Sequence, residues 1–195
     1  MKRCLEDPTN QSSKRFYDAF LNKSEANWDE VYEGYTAAAD WTAAHFYKDL
    51  LFRYPNAKVV LTERPFEDWY KSMKNTIYPA IRNGKKLQPG HPHYEFRELN
   101  RQIILDGYIE DDEKFLDEEF MRNYYDNHIK QVKEVVPATQ LYSFKLGEGW
   151  EGLCKFLGKS VPEEPYPNVN STAHFQQRFI KKSNETPSEQ NVGDA

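Results

Sequence analysis

Arg64 is the residue of this chain best placed to do chemistry. It closes the run Lys58-Val59-Val60-Leu61-Thr62-Glu63 and is followed by Pro65. A guanidinium presents five donors in a fixed fork that matches phosphate or sulfate bidentately. The elements that must position it can be read on either side. Val59, Val60 and Leu61 form a short apolar run after Tyr54-Pro55-Asn56, which predicts a strand covered on both faces. Pro65 suits the first turn of a helix, where a missing N–H costs nothing, and Glu67 and Asp68 lie on the favourable side of that helix's dipole. Arg64 therefore stands at the carboxyl end of a strand, beside a helix N-terminus. Open α/β sheets bind ligands there, and free backbone N–H groups attract anions. Local pattern alone leaves an ordinary surface arginine equally open.

Other constellations carry less. Gly147-Glu148-Gly149-Trp150-Glu151-Gly152 is a literal G-x-G-x-x-G between a strand-like run, LYSFKL, and a helix. That context fits a dinucleotide fingerprint and an NAD-dependent oxidoreductase. Trp150 is bulky where a pyrophosphate must approach, and the following SVPEEPYPNVN is too rich in proline for the next central strand. The favoured reading is a strand-to-helix turn with Trp150, Leu153 and Phe156 packed on the sheet. His91-Pro92-His93 lies in a turn-rich loop without H-E-x-x-H or a cysteine cluster, so no metal is expected. The acidic runs 110–113 and 117–119 read as the solvated start of a helix. No G-x-S-x-G elbow occurs, nor a Ser, His and Asp in recognisable order.

Several words of the chain together resemble one family. Asp40-Trp41 precedes a helix, YPNAKVVLTER leads to Arg64, a Trp-Tyr-x-Ser helix places Ser72 eight positions beyond it, and GWEGLCKFLG follows. Their order and spacing, from about Trp28 to about Asn170, resemble the sulfotransferase-like family of the P-loop fold. The resemblance implies an α/β, helix-rich, P-loop-type three-layer sandwich with a mainly parallel sheet. It implies 3′-phosphoadenylyl sulfate as the donor co-substrate and a small-molecule acceptor. Arg64 and Ser72 would hold the donor's 3′-phosphate, and Asp40 would be the general base for the acceptor hydroxyl. Asp40 is equally suited to capping the helix it precedes. Thr42 stands where the family commonly has a proline after Asp-Trp.

Members of that family open with a strand and a Gly-rich loop that holds the donor's phosphosulfate. Here no G-x-x-x-x-G-K-[ST] occurs and no glycine precedes Gly34. The chain is therefore expected to lack the family's first strand, loop and helix, and to be inactive and poorly stable as it stands. A non-catalytic remnant that binds nucleotide or a partner is the alternative.

Composition agrees with one unit. The 195 residues suit a single domain, expected over 1–180, and the Ser-, Asn-, Glu- and Gln-rich stretch 181–195 reads as a disordered tail. Hydrophobic residues are only 38% against 15% aromatics, so Tyr, Phe and Trp must carry much of the core. A net charge of −5 gives no footprint for nucleic acid. No run is long and apolar enough for a membrane span or signal peptide. Cys4 and Cys154, far apart, read as free thiols of a cytoplasmic protein, Cys154 buried in a helix. Periodicity predicts helices over 10–22, from Trp28, over 42–54, after Pro65, over 94–109, over 111–136 and over 150–157, with strands at 59–61 and 141–146.

Overall fold

The computed structural model describes residues 11–22, 25–84, 86–167 and 172–177. The expected tail at 181–195, and Cys4, lie outside them. The elements run α1 (Gln11–Asn22), α2 (Trp28–Val31), α3 (Asp40–Arg53), β1 (Val59–Glu63), α4 (Phe66–Asn75), α5 (Ile77–Arg82), α6 (Tyr94–Ile103), a 3-10 segment (Ile104–Glu110), α7 (Asp112–Leu116), α8 (Glu118–Val135), β2 (Leu141–Lys145), α9 (Glu151–Leu157) and α10 (Thr172–Phe175). The molecule is rich in helix around a small parallel sheet, β1 beside β2, with Val59 opposite Leu141 and Glu63 opposite Lys145.

Two predicted helices prove to be divided. The stretch 94–109 stops at Ile103, because Leu105, Asp106 and Gly107 all take left-handed φ values of 54°, 51° and 85°. The stretch 111–136 breaks at Asp117. Asp111 caps α7 by accepting from the Lys114 N–H, and Asp117 caps α8 by accepting from the Phe120 N–H. Each acidic run thus starts its own helix, satisfying donors left bare at a helix N-terminus. Asn27 caps α2 in the same way, and Gly158, at φ 69°, closes α9 in the left-handed cap that glycine permits.

The sheet corrects one expectation. β1 is covered on one face only: Leu61 is buried, while Val60 and Thr62 are exposed. Leu61 meets Val132 and Val136 from the end of α8, with Tyr47 and Leu51 of α3 and Leu141 of β2 around them. On the opposite face Tyr142 stacks on Phe156 of α9, and Phe144 stacks on Tyr166. That cover reaches β2 and leaves β1's outer side chains bare.

The larger core lies between helices. Phe66, Tyr70 and Met73 of α4 join Leu99, Ile103, Ile104, Leu105, Ile109, Phe115 and Met121, with Trp28 and Phe46 at its other end. Phe115 is fully buried, stacked on Tyr78 at 4.3 Å, and its carbonyl accepts from the Tyr70 hydroxyl at 2.8 Å. Aromatic side chains do dominate the packing. Cys154 is buried in α9, as expected.

Candidate functional site

Arg64 leaves β1 with its backbone gripped by α8. The Tyr125 hydroxyl donates to the Arg64 carbonyl at 2.7 Å and accepts from its N–H at 3.4 Å. The strand end is fixed in this way before the side chain departs. Pro65 stands at the N-cap of α4, one position earlier than predicted. The guanidinium then folds along the helix, Nη2 donating to the Asp68 carbonyl at 2.7 Å. The helical ladder turns the Ser72 N–H toward that same carbonyl, and no hydrogen bond joins the Arg64 and Ser72 side chains among the described residues. Ser72 is half-buried, and its carbonyl accepts from the Thr76 hydroxyl at 2.6 Å. The Nε of Arg64 is buried and has no acceptor among the described residues. A buried donor left unpaired is costly, and its presence marks a place where an acceptor is wanted.

Asp40 is not the cap of α3. The N-cap position is Ala39, which makes no side-chain cap bond. Asp40 is itself the first residue, at φ 73°, and its Oδ1 accepts from the adjacent Trp41 N–H at 2.8 Å. The side chain is exposed. Positive φ is uncommon for a residue with a Cβ, and Asp tolerates it because its short carboxylate bonds locally. No hydrogen bond or ion pair joins Asp40 to Arg64 or Ser72 among the described residues.

A second cluster has no counterpart in the sequence reading. His45 of α3 places Nδ1 3.0 Å from Asp106 Oδ1, and the Tyr124 hydroxyl of α8 donates to Asp106 Oδ2 at 3.0 Å. Three elements far apart in sequence thus meet on one carboxylate. The hydrogen bond from His45, then that from Tyr124, hold Asp106 below the usual carboxylate range against the opposing effect of desolvation. Burial, reinforced by Asp106, pushes the Tyr124 phenol far above its usual range. His128, one turn along α8, is depressed by burial and by Lys48, with Asp106 opposing. Asp106-Gly107 is a turn-prone dipeptide, yet the periodicity carries the predicted helix 94–109 straight through it.

A family model described as a sulfotransferase domain matches residues 1–175. The chain belongs to the sulfotransferase-domain family. It is also 31% identical over 148 residues to the "Ava biosynthesis cluster protein M" of Aspergillus versicolor, a match that takes in 73% of this chain and 57% of the relative. The chain therefore spans less than two thirds of that relative's length.

Within this sulfotransferase-domain chain the glycine-rich turn is filled by its own side chains. Gly147 and Gly149 take φ values of 97° and 83°, which make the turn after β2. A Cβ on Gly152 would run into the Tyr142 side chain, whose Cζ lies 3.0 Å from that point. The Tyr142 hydroxyl is bonded to Glu148, and the Trp150 indole N–H donates to the Glu164 carbonyl at 2.8 Å. Gly152 serves a close helix–strand approach, with the Tyr142 side chain lying against it. Among the described residues no group of three or more His, Cys, Asp or Glu is placed to hold a metal, and no helix is long and apolar enough to cross a membrane.

Proposed function

We propose that this chain is the donor-binding and acceptor-binding part of a sulfotransferase that moves a sulfuryl group from 3′-phosphoadenylyl sulfate to a small-molecule hydroxyl. The observation that carries the reading is the buried, unpartnered Nε of Arg64 at the end of β1, in a chain of the sulfotransferase-domain family. A 3′-phosphate seated there would accept from Nε and a terminal guanidinium nitrogen together, the bidentate geometry an arginine favours. Ser72 would add its hydroxyl from the next turn of α4. Asp40 is the general-base candidate on the family pattern, its carboxylate held at the start of α3. The relative's place in a biosynthesis cluster fits an acceptor that is a small metabolite.

The proposed frame is a P-loop-type three-layer sandwich in which residues 1–180 form one unit and β1 and β2 belong to a larger parallel sheet. The bare side chains of Val60 and Thr62 fit a sheet of that kind. A second reading, nucleotide binding without turnover, is favoured for these 195 residues by the lack of any G-x-x-x-x-G-K-[ST] loop. Losing even one such preorganised donor typically costs about 100-fold or more in rate.

Calorimetry tests the donor site without requiring turnover. 3′-Phosphoadenosine 5′-phosphate is expected to bind more tightly than adenosine 5′-phosphate, and Arg64→Ala is expected to erase that preference. Ser72→Ala is expected to weaken the bisphosphate only several-fold, roughly the worth of one hydrogen bond. Equal affinity of the unsubstituted chain for both nucleotides would remove Arg64 from the 3′-phosphate.

A further inference from the structure

Beside the turn that follows α5 lies a cavity of about 490 Å³, bounded by Lys86, Leu87, Pro89, Tyr94, Arg97 and Arg101 among others. That volume falls within the roughly 300–1,000 Å³ of clefts that hold small molecules. Its floor is firmly tied. Arg101, in the last turn of α6, donates from Nη1 to both carboxylate oxygens of Glu110 at 2.6 Å. Its Nη2 donates to the carbonyls of Gly84 at 3.2 Å and Ile81 at 3.4 Å. Only 11% of the side chain is exposed. One guanidinium therefore pins the chain leaving α5, the helix α6 and the end of the 3-10 segment to each other, with its charge met by Glu110.

The remaining charges do not balance. Lys86, Arg97 and Arg101 share the wall with Glu98 and Glu110, three cations to two acids, on a chain whose net charge is −5. Glu110 is held by Arg101, and Glu98 accepts from the Gln102 side chain at 2.9 Å. Arg97 stands one turn before Arg101 on the same face of α6. Its Nη1 lies 2.8 Å from where a Cβ on Gly84 would stand, so the glycine lets the turn backbone close against this guanidinium. Lys86 is exposed, and no hydrogen bond or ion pair holds its ammonium among the described residues. A wall with one cation in excess attracts an anion. Leu87 and Tyr94 are half-buried, and with Pro89 and the Arg97 stem they offer apolar contact beside that charge. Tyr94 is braced by Tyr17, edge-on at 6.4 Å. The wall includes none of Arg64, Ser72, Asp40 or His45.

We propose that this cavity binds a small amphiphile, an apolar ring or short chain that carries one oxyanion, either a carboxylate or a sulfate monoester. Lys86 and Arg97 take the oxyanion, and Leu87, Pro89 and Tyr94 take the body. The site is separate from the donor site and goes beyond the sulfotransferase reading, since no bond is made or broken in it. A single excess cation suits a monoanion. A bisphosphate would bring more negative charge than Lys86 and Arg97 can meet beside Glu98 and Glu110. The wall also includes Gly107, next to the Asp106 that joins α3 to α8. A ligand here therefore buttresses the left-handed run from its other side, and binding to the folded chain alone raises its melting temperature.

The test is NMR of the 195-residue chain with labelled leucine methyl groups. It is titrated with 4-methylbenzoate and 4-methylphenyl sulfate as the two anions and with 4-methylbenzyl alcohol as their neutral analogue. At least one anion is expected to shift the Leu87 methyl signals saturably while those of Leu61 in β1 stay fixed, and the tighter of the two names the headgroup. The alcohol is expected to bind at least about tenfold more weakly, the worth of one charge-assisted hydrogen bond. Lys86→Gln and Arg97→Gln are each expected to weaken the anion roughly tenfold and to leave the alcohol unchanged, with melting followed alongside. Added salt is expected to weaken the anion and not the alcohol, a reading that needs no substituted chain. Arg64→Ala is expected to bind the anion as the unsubstituted chain does. No saturable binding of either anion, Leu87 signals that stay unmoved, an alcohol that binds as tightly, undiminished affinity in either folded glutamine variant, or affinity lost in Arg64→Ala would each overturn the proposal.

Discussion

Asp40 and Asp106 occupy the same unusual backbone region by different means. Asp40, at φ 73°, is exposed and, among the described residues, bonds its own neighbour, whereas Asp106, at φ 51°, is tied to two helices. Glycine enters that region freely. Asp40→Gly is therefore expected to keep or slightly raise the melting temperature, and Asp40→Ala to cost about 1 kcal/mol. If Asp40 is the base, the Gly variant of an active longer protein loses turnover while remaining stable, a combination that melting and rate measurements read directly. Equal destabilisation by both substitutions would show that the carboxylate, and not the backbone, holds the start of α3. At this scale the sequence was legible where chemistry follows a local element. Arg64 and Ser72 belong to one strand–helix step, in which the guanidinium reaches only as far as the Asp68 carbonyl, one turn short of Ser72. His45 and Asp106 were not legible, being 61 positions apart and joined by a left-handed run that no periodicity announces.

Element existence followed from hydrophobic period and caps, while element breaks depended on contacts invisible along the chain. The acidic runs 110–113 and 117–119 read as the solvated, dipole-favoured start of a single helix. Asp117 instead ends one helix and starts the next, because its side chain takes the Phe120 N–H. Burial of β1 was overestimated for a similar reason: an apolar triplet says nothing about how far the neighbouring helices extend. The glycine-rich turn was read correctly as a structural corner, and its third glycine yields a sharp prediction. Gly152→Ala puts a methyl group into the Tyr142 side chain, which is stacked on Phe156 and bonded to Glu148. Overpacking of this kind costs roughly 1–3 kcal/mol. A thermal melt of Gly152→Ala is expected to show that loss, with much of it recovered in Gly152→Ala/Tyr142→Phe if the hydroxyl is the obstacle. An unchanged melt would mean that Tyr142 swings aside freely.

Over the whole molecule, acid is expected to destabilise in two stages. His128 is held below its ordinary value near 6.5, so as pH falls through that value the unfolded chain takes up a proton that the folded chain refuses. Stability is lost between 6.5 and the lower folded value, then levels off. Asp106, held below 3.8, adds a second loss as pH falls from that value through its own. Melting temperatures measured from neutral pH downward are expected to show both stages, with His128→Gln flattening the upper and Asp106→Asn the lower. A melting temperature that rises through the upper window would contradict the buried, neutral imidazole. The parallel pairing of β1 with β2 bears on time as well as stability. Val59 meets Leu141 across 82 positions, and every helix from α4 to α8 lies inside that loop. Closing a loop of this length is entropically unfavourable until the helices within it have condensed. The sheet is therefore expected to assemble last and to open first, so that in pulsed hydrogen exchange the amides of β1 and β2 gain protection after those of α4 to α8, and the strand end that bears Arg64 acquires its shape only at the end of that sequence.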